Sequence, residues 1–363
     1  MKGKPVYIQI YDDIMEQINS GALCDMDALP TERELMSKYY VSRITIRNAM
    51  NMLASSGHIT RIAGKGTFVS SENKVTASGT RRKIGLILCN IGASFGLEIL
   101  TALERAATKE GYLLIFKNAL NDVERESEAI RDLIDDGVDG IIIQPVHGET
   151  FNSEIMKLSL SAFPIVVIDR KLKGLSLSFV GTNNFKGAKE ATEYLFDHGH
   201  TNIAFLSTDV HGSSTLEDRR DGFTQAFIER GIPNTVSNYL LNIETPKGDV
   251  DNVIFNNDVH RICEYLHVNP QITALFATEY SVARLAYLAT KELGKNVPKD
   301  ISLVMYDTYE AIDFRITCIS QNQEKIAKTA FAKLVSIMNG DATVTETELD
   351  CELREGDSVR KLG

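Results

Sequence analysis

One short segment near the start of the chain combines a helix-capping residue with arginine and threonine side chains at close spacing. Ser42 can cap a helix whose apolar residues recur at helical spacing and would face a core. Arg43, Thr45 and Arg47 lie on the other faces of this helix, close to its N-terminus. A recognition helix presents hydrogen-bond donors to base edges and phosphates from this position. The residue types and their spacing therefore predict a DNA-reading helix.

The flanking residues predict the elements that would position this helix. Thr31 with Glu34 forms a capping box, which indicates a short helix just before the reading helix. Gly57 is free to adopt a positive φ and predicts the end of the reading helix. Residues 58–62 and 67–69 are strand-like and are joined by Ala-Gly-Lys-Gly, which predicts a tight hairpin. Two helices followed by a hairpin make a winged helix-turn-helix.

This region resembles the DNA-binding domain of the GntR family of bacterial transcription regulators. The blocks that carry the resemblance are PVYIQIYDDIMEQINSG, LPTERELMSKYYVSRITIRNAMNMLASSGHI and GKGTFV. The resemblance implies DNA contacts from four helical residues and the wing tip, namely Arg33, Arg43, Thr45, Arg47 and Gly64. Ser42 and Lys65 complete the predicted DNA-binding set. Two residues depart from the family pattern: Ile44 stands at a usual Thr, which bears on base preference, and Tyr40 at a usual Gly, which bears on the turn.

The charge is distributed as a DNA-binding head on an acidic body requires. The 363-residue chain has a formal net charge of −10. Residues 1–75 hold nine Lys/Arg against eight Asp/Glu, and the remainder holds 30 against 41. A local basic face on the head remains available for phosphates, whereas the acidic remainder argues against nonspecific coating of nucleic acid.

The cysteine content and the absence of a long apolar run predict a cytoplasmic protein without a membrane partner. The five cysteines are scattered and show no Cys-x-x-Cys spacing, as suits a reducing compartment. No run of apolar residues is long enough to span a bilayer, and the N-terminus lacks the pattern of a signal peptide.

From residue 83 onward, short apolar strands alternate with amphipathic helices. The strand-like segments 84–89, 112–117, 138–144 and 164–169 have no polar interruption, as expected for parallel strands buried on both faces. A second such series follows, so we predict two doubly wound α/β lobes with parallel sheets. The small and polar residues 71–82 are interpreted as a linker.

This second region resembles the effector-binding domain of the LacI and periplasmic-binding-protein superfamily. The resemblance is carried by KIGLILCNIGASF, DDGVDGIII, PIVVIDR, FVGTNNFKGAKEATEYLFDHGHTNIAFL, TLEDRRDGF and PKDISLVMYD. Together with the GntR-like head, the chain resembles regulators of the arabinose-repressor type. The predicted domains are 1–70 for the head, 71–82 for the linker and 83–363 for the sensor. The predicted lobes are 83–180 with 318–345, and 181–317 with 346–363.

Polar side chains follow several of the predicted strands, where open parallel sheets bind ligands. Planar polar groups can form paired hydrogen bonds with vicinal sugar hydroxyls, and an aromatic ring can cover a C–H surface. The residues selected by this rule are Asn90, Phe95, Asp169, Arg170, Asn183, Asn184 and Asp307. The alternative for each is a salt bridge between the lobes or a cap at a strand end.

The resemblance also implies which residues contact the effector. It implies contacts from Phe95, Asp169, Arg170, Arg219 and Asp307, with Arg219 three residues before Gly222. Glu279 stands near the place where the family commonly carries Asn-Asp. Gln321 lies at a predicted crossing between the lobes, where a contact is also expected. Glu279 and Gln321 therefore complete the predicted effector site.

No motif predicts catalysis, a metal site or a cofactor. His198 and His200 flank Gly199 at a predicted helix end without nearby partners, and no Gly-x-Gly-x-x-Gly follows the first strand of the sensor. The sequence therefore favours a cytoplasmic repressor, whose homodimer reads a pseudo-palindromic operator. The expected effector is a small sugar, with pentoses such as L-arabinose among the candidates. The alternatives are a sugar-binding protein or a sugar-converting enzyme without a DNA role.

Overall fold

The head consists of three helices and a two-stranded wing. The computed structural model describes residues 5–62, 65–70, 82–92, 94–146, 152–244, 252–307 and 315–363. The elements of the head are α1 (Val6–Asn19), α2 (Glu32–Tyr39), α3 (Arg43–Ser55), β1 (Ile59–Ile62) and β2 (Gly66–Val69). The two strands pair antiparallel, and the apolar faces of the helices meet in one buried cluster. The predicted winged helix-turn-helix is confirmed. Gly64 and predicted linker residues 71–81 lie outside the described residues.

The caps predicted at the helix starts are present, and the turn between α2 and α3 has a left-handed residue. The side chain of Thr31 accepts from the backbone N–H of Glu34, and that of Ser42 accepts from the N–H of Thr45. Tyr40 ends α2 with φ 55° and ψ 41°, the left-handed conformation that glycine adopts most easily. Its side chain is 94% exposed. The turn therefore keeps the geometry of a glycine at Tyr40, at a cost of about 1–2 kcal/mol.

The sensor continues with alternating strands and helices. The first series is β3 (Lys83–Leu88), α4 (Leu97–Lys109), β4 (Leu113–Asn118), α5 (Val123–Asp135), β5 (Gly140–Ile143), α6 (Ser153–Leu160), β6 (Ile165–Ile168) and β7 (Ser178–Thr182). The second is α7 (Asn184–Asp197), β8 (Ile203–Leu206), α8 (Ser214–Arg230), β9 (Tyr239–Leu240), α9 (Asn252–Val268), β10 (Ala274–Ala277), α10 (Tyr280–Glu292) and β11 (Ser302–Tyr306). The chain closes with β12 (Thr317–Ser320), α11 (Gln323–Met338), β13 (Glu346–Leu349) and β14 (Glu352–Arg354).

Two sheets, each covered by helices on both faces, form the two lobes. Within the described residues, the first sheet has the order β13-β7-β6-β5-β3-β4 and the second β14-β12-β11-β10-β8-β9. The strands of the first sheet pair in parallel, and in the second sheet β14 pairs antiparallel to β12. Apolar residues from the strands are buried on both faces of each sheet. The predicted doubly wound α/β architecture is confirmed.

The division of the last segments between the lobes differs from the prediction. The strand β12 pairs with β11 in the second lobe, although residues 318–345 were assigned to the first. Conversely, β13 pairs with β7 in the first lobe, although residues 346–363 were assigned to the second. The strand β7 also extends to Thr182, past the predicted boundary at 180. The boundaries at 180, 318 and 346 were wrong because strand pairing, which hydropathy does not reveal, fixes the lobe of each short segment.

Among the described residues, no helix is long and apolar enough to cross a membrane.

Candidate functional site

Two predicted effector residues occupy equivalent positions in the two lobes. Asp169 follows β6 and Asp307 follows β11, each at the carboxyl end of its strand. Both have left-handed backbones, with φ of 66° and 70°. The N–H of Asp169 donates to the carbonyl of Val180 at 3.1 Å, and the N–H of Asp307 to that of Ile319 at 3.0 Å. The neighbouring strand thus holds each residue in a conformation that non-glycine residues rarely adopt.

A glutamine amide fixes each of these carboxylates. The side chain of Gln144 donates to Asp169 at 2.8 Å, and that of Gln321 donates to Asp307 at 2.6 Å. All four side chains are buried. Gln321 was predicted, but Gln144 was missed, although it ends a predicted strand and the strand-end rule could have selected it.

Burial and charge act in opposite directions on Asp307. Burial raises the pKa of its carboxyl to about 6, and the charge of Arg219 and the hydrogen bond from Gln321 oppose this rise. The negative charges of Asp169 and Glu279 contribute to the rise. These interactions join residues of both lobes around one region.

Arg170 is held against the loop that follows β5. Its Nη1 donates to the carbonyls of Val146 at 2.5 Å and Pro145 at 3.3 Å. Its Nε lies 3.9 Å from the carboxylate of Asp169. That Nε and the Oε1 of Gln144 are buried, and neither has a hydrogen-bond partner among the described residues. An unpaired donor and an unpaired acceptor beside Asp169 are what a bound hydroxyl group could satisfy.

Val146 is also held by a buried carboxylate that the residue pattern did not indicate. Glu126 accepts from the N–H of Val146 at 2.7 Å and from the amide of Asn152 at 2.9 Å. Burial raises the pKa of Glu126, against these two hydrogen bonds and the charge of Arg170. Glu126 therefore fixes the backbone to which Arg170 donates.

In the second lobe, Arg219 is held on three sides. Its Nε donates to the Oδ1 of Asn184 at 2.8 Å, and its Nη1 donates to the carbonyl of Thr278 at 2.5 Å. Its guanidinium carbon lies 3.8 Å from the centre of the Tyr306 ring. The amide of Asn184 also donates to the carbonyl of Thr182 at 3.1 Å. Asn184 thus orients Arg219. Arg219 lies in α8, a helix of the second lobe that the sequence predicted.

The remaining predicted effector residues also lie at strand ends or crossings. Glu279 precedes α10 at the end of β10 and accepts from the hydroxyl of Ser281 at 2.9 Å. Phe95 is half-buried and packs against the core of the first lobe. The loop that carries it is held by Gln323, which accepts from the N–H of Gly96 at 2.8 Å and donates to the carbonyl of Ser94 at 2.9 Å.

The lobes touch directly beside Asp169. The N–H of Lys171 donates to the hydroxyl of Ser214 at 2.8 Å. The hydroxyl of Thr215 donates to the backbone carbonyl of Asp169 at 3.1 Å. The N-terminal turn of α8 is therefore bonded to the loop after β6, so the two strand-end edges face each other.

The predicted DNA-binding residues do not all share one exposed surface. Arg33 and Lys65 are exposed, and the Arg43 side chain is 62% exposed, with its Nε 3.2 Å from Glu32. Thr45 is buried and lies 2.9 Å from the hydroxyl of Ser42. The Arg47 side chain is only 19% exposed and contacts the first lobe of the sensor. Arg33, Arg43 and Lys65 are thus accessible, whereas Arg47 is covered.

Because Asp307 holds a proton to a higher pH in the folded protein, its titration affects stability. Between about pH 4 and 6 the folded chain binds this proton and the unfolded chain does not, so the free energy of unfolding should fall as pH rises. Asp307→Asn should remove this contribution. We therefore expect the unfolding midpoint of the variant, relative to the wild type, to rise between pH 4 and 7 in calorimetry. A constant difference would contradict the raised pKa.

Comparison with known proteins finds a family match in each part of the chain. Residues 6–69 match the gntR family of bacterial regulatory proteins, and residues 192–359 match the periplasmic binding protein-like domain. The LacI family transcriptional regulator from Enterococcus faecium, solved with bound ribose, has the sensor fold. Its TM-score is 0.64 at 24% identity, over 78% of this chain and 100% of that chain.

Two curated relatives span both domains. The arabinose metabolism transcriptional repressor of Geobacillus stearothermophilus is 26% identical over 347 residues, 93% of this chain and 92% of that protein. The protein of the same name from Halalkalibacterium halodurans is 27% identical over 312 residues, 82% of this chain and 80% of that protein. These relatives are transcription regulators and not enzymes. The chain is thus a transcription regulator that joins a GntR-type helix-turn-helix head to a periplasmic-binding-protein-like sensor, homologous to the arabinose metabolism repressors.

Proposed function

We propose that the chain is a cytoplasmic repressor of carbohydrate-utilisation genes, released from its operator by a small neutral sugar bound between the lobes. The observation that carries this proposal is the pair of strand-end carboxylates, Asp169 and Asp307, each oriented by a glutamine amide on its own lobe. A sugar offers hydroxyl donors on both of its sides, so one molecule can bond to both lobes. The names of the relatives support a pentose such as L-arabinose among the candidates.

The charges around this region favour a neutral ligand. Asp169, Asp307 and Glu279 contribute carboxylates, while Arg170 and Arg219 contribute two guanidinium groups that are already engaged with carbonyl groups. A site without net positive charge binds phosphorylated sugars poorly because the anion loses its water without a compensating partner. The unpaired Nε of Arg170 and Oε1 of Gln144 can instead donate to and accept from hydroxyl groups.

A bridging sugar would act on the head through the relative position of the lobes. A ligand shifts a conformational equilibrium only when its affinity differs between the two arrangements. A sugar held by Asp169 and Asp307 meets this condition, since the two residues lie on different sheets. A sugar-binding protein or a sugar-converting enzyme without a DNA role would not need the capped helix α3 or the wing.

We further propose that two chains bind one operator. A short recognition helix contacts few bases, so specificity requires two half-sites related by the two-fold axis of a dimer. The head supplies Arg33, Arg43 and Lys65 as accessible cations for each half-site. A homodimer on a pseudo-palindromic operator follows from this requirement.

Loss of Arg43 should weaken operator binding in a sequence-dependent way. If its guanidinium reads a guanine, Arg43→Ala should cost about 1–3 kcal/mol and relax the preference at one base pair per half-site. Lys65→Ala at the wing should weaken all sequences more evenly and flatten the dependence on salt. Fluorescence anisotropy on operator and scrambled duplexes measures both effects. Arg354→Ala, which removes an equal charge from a 57% exposed side chain of the second lobe, is the control. Unchanged affinity in Arg43→Ala would exclude the proposed reading helix.

Loss of Arg170 or Arg219 should weaken the response to sugar. Each substitution removes hydrogen bonds to a charged group, which contribute about 1.5–3 kcal/mol. Release of the protein from the operator should therefore need roughly tenfold to hundredfold more sugar. Operator affinity without sugar should be preserved. The measurement is the release midpoint in a sugar titration of the operator complex, with folding checked by thermal unfolding. Arg220→Ala is the matched control, because Arg220 pairs with Asp221 at 2.8 Å and not with Asn184. Wild-type midpoints in both variants would show that the effector site is misassigned.

A further inference from the structure

The outer face of α3 lies against the first lobe of the sensor. Residues at helical spacing on this face are Ile44, Arg47, Asn48 and Asn51. The opposite face of α3 is buried in the core of the head. Asn48 is only 8% exposed, and together with Asn51 it lines a groove shared with Asp139, Pro164 and Met338. The face that would enter a DNA groove is therefore covered by the protein itself.

Arg47 caps the C-terminus of a sensor helix. Its Nη1 donates to the carbonyl of Ile134 at 2.5 Å and its Nη2 to the carbonyl of Asp135 at 3.0 Å. Both carbonyls belong to the last turn of α5, where the helix dipole is negative and no basic residue of α5 itself is present. The backbone carbonyls at the end of α5 thus accept hydrogen bonds from Arg47, as the oxygens of a phosphate group would.

Ile44 adds an apolar contact beside Arg47. It packs against the apolar cluster on the α5 and α6 face of the first sheet. An isoleucine on the outer face of a reading helix cannot donate a hydrogen bond to DNA. Its partial burial against the sensor explains an apolar residue at this position, where the GntR family usually has Thr.

The surface of the first lobe that contacts α3, called here the docking surface, is formed by Ile134, Asp135, Asp139, Pro164 and Met338. This surface and the effector region lie at opposite edges of the first sheet. Asp139 and Pro164 precede β5 and β6, and so lie near the amino ends of these strands, whereas Asp169 follows the carboxyl end of β6. One helix reaches both edges. Gln323 at the start of α11 holds the Phe95 loop, and Met338 at its end lines the groove under α3.

We propose that the first lobe is an intramolecular competitor of operator DNA. This inference rests on the proposed function, because it requires α3 to read the operator. One face of a helix cannot contact the sensor and a DNA groove together, so the docked state cannot bind and the head must first leave α5. The apparent affinity for operator is then the intrinsic affinity reduced by the undocked fraction of molecules. If roughly nine in ten free molecules are docked, undocking tightens operator binding about tenfold.

A substitution at Gly137 should disturb docking while leaving every residue of the head unchanged. A Cβ at Gly137 would lie 3.2 Å from the Nη2 of Arg47, so Gly137→Lys places bulk and positive charge against that guanidinium. Gly111→Lys is the matched control. It also follows a first-lobe helix with positive φ, +79° against +73°, but a Cβ there meets no described atom within 4 Å. We expect Gly137→Lys to bind operator several-fold more tightly than Gly111→Lys.

Met338→Glu tests the same contact with the opposite charge. It places a carboxylate in the groove beside Asp139 and under Asn48, which should also release the head. Its control is Leu160→Glu, at an 82% exposed position on the same lobe. An added carboxylate should repel DNA, so tighter operator binding by Met338→Glu cannot be a direct charge effect. Thermal unfolding of each variant verifies that it is folded.

Docking is measured without DNA by thiol labelling. Asn48→Cys, made with Cys24→Ser because Cys24 is exposed, should react slowly with a maleimide in the otherwise unchanged chain. Gly137→Lys and Met338→Glu should each accelerate the reaction, and the two controls should not.

The inference requires faster labelling and tighter operator binding together. It is overturned if neither docking variant differs from its control, or if labelling accelerates while operator affinity stays the same. Arg43 pairs with Glu32 of the head, and no contact with the sensor is described for it, so Arg43→Ala separates this test from the proposed function. Retained operator binding in Arg43→Ala would remove α3 as the reader, whatever the labelling experiment shows.

Discussion

The three crossings of the chain between its two sheets are the constraint on which the sensor depends. The chain passes from the first sheet to the second after β7, returns after β12 and passes back after β13. At the crossings the hydroxyl of Thr182 donates to Gln321 at 2.6 Å, and Gln321 donates in turn to Asp307. The strands β7 and β12, which follow β6 and β11 along the chain, end at these crossings. The carboxyl edges of both sheets are therefore brought face to face. A shift of the lobes relative to each other would therefore change the hydrogen bonds of Gln321, whose amide group contacts Thr182 of the first lobe and Asp307 of the second.

This constraint explains why the two lobes present the same local arrangement at the proposed effector site. In each lobe an aspartate leaves its strand in a left-handed conformation, bonds to the next strand and receives a glutamine amide. The strain at Asp169 and Asp307 is offset by the sheets around them, which leaves both carboxylates fixed before any ligand arrives. A preorganised site loses less entropy on binding, so more of the contact energy is available to hold the lobes together.

Much of this organisation could be predicted from the residue pattern, and the failures have physical causes. Helix-capping residues, uninterrupted apolar strands and strand-end polar residues are local signals, and they predicted α2, α3, the two lobes and the strand-end positions of Asp169, Arg170 and Asp307. The placement of β12 and β13 depends on pairing between distant segments, so the lobe boundaries were wrong. The position of Gln144 at a strand end was a usable local signal, but its partner Asp169 lies 25 residues away. Glu126 acts on Val146, 20 residues away, and its role is visible only in the fold. The contact of Arg47 with α5 spans 87 positions of the chain, and no local pattern could indicate it.

In the proposed function, the effector region and the operator-reading head are two binding sites of one molecule, and they are coupled to each other. Coupling between two binding sites is reciprocal, so each ligand must change the affinity of the other by the same factor. The most direct measurement is calorimetric titration of the full chain with the releasing sugar, with and without saturating operator duplex. The account predicts that operator weakens sugar binding by the same factor by which sugar weakens operator binding. Equal sugar affinities in the presence and absence of operator would contradict it.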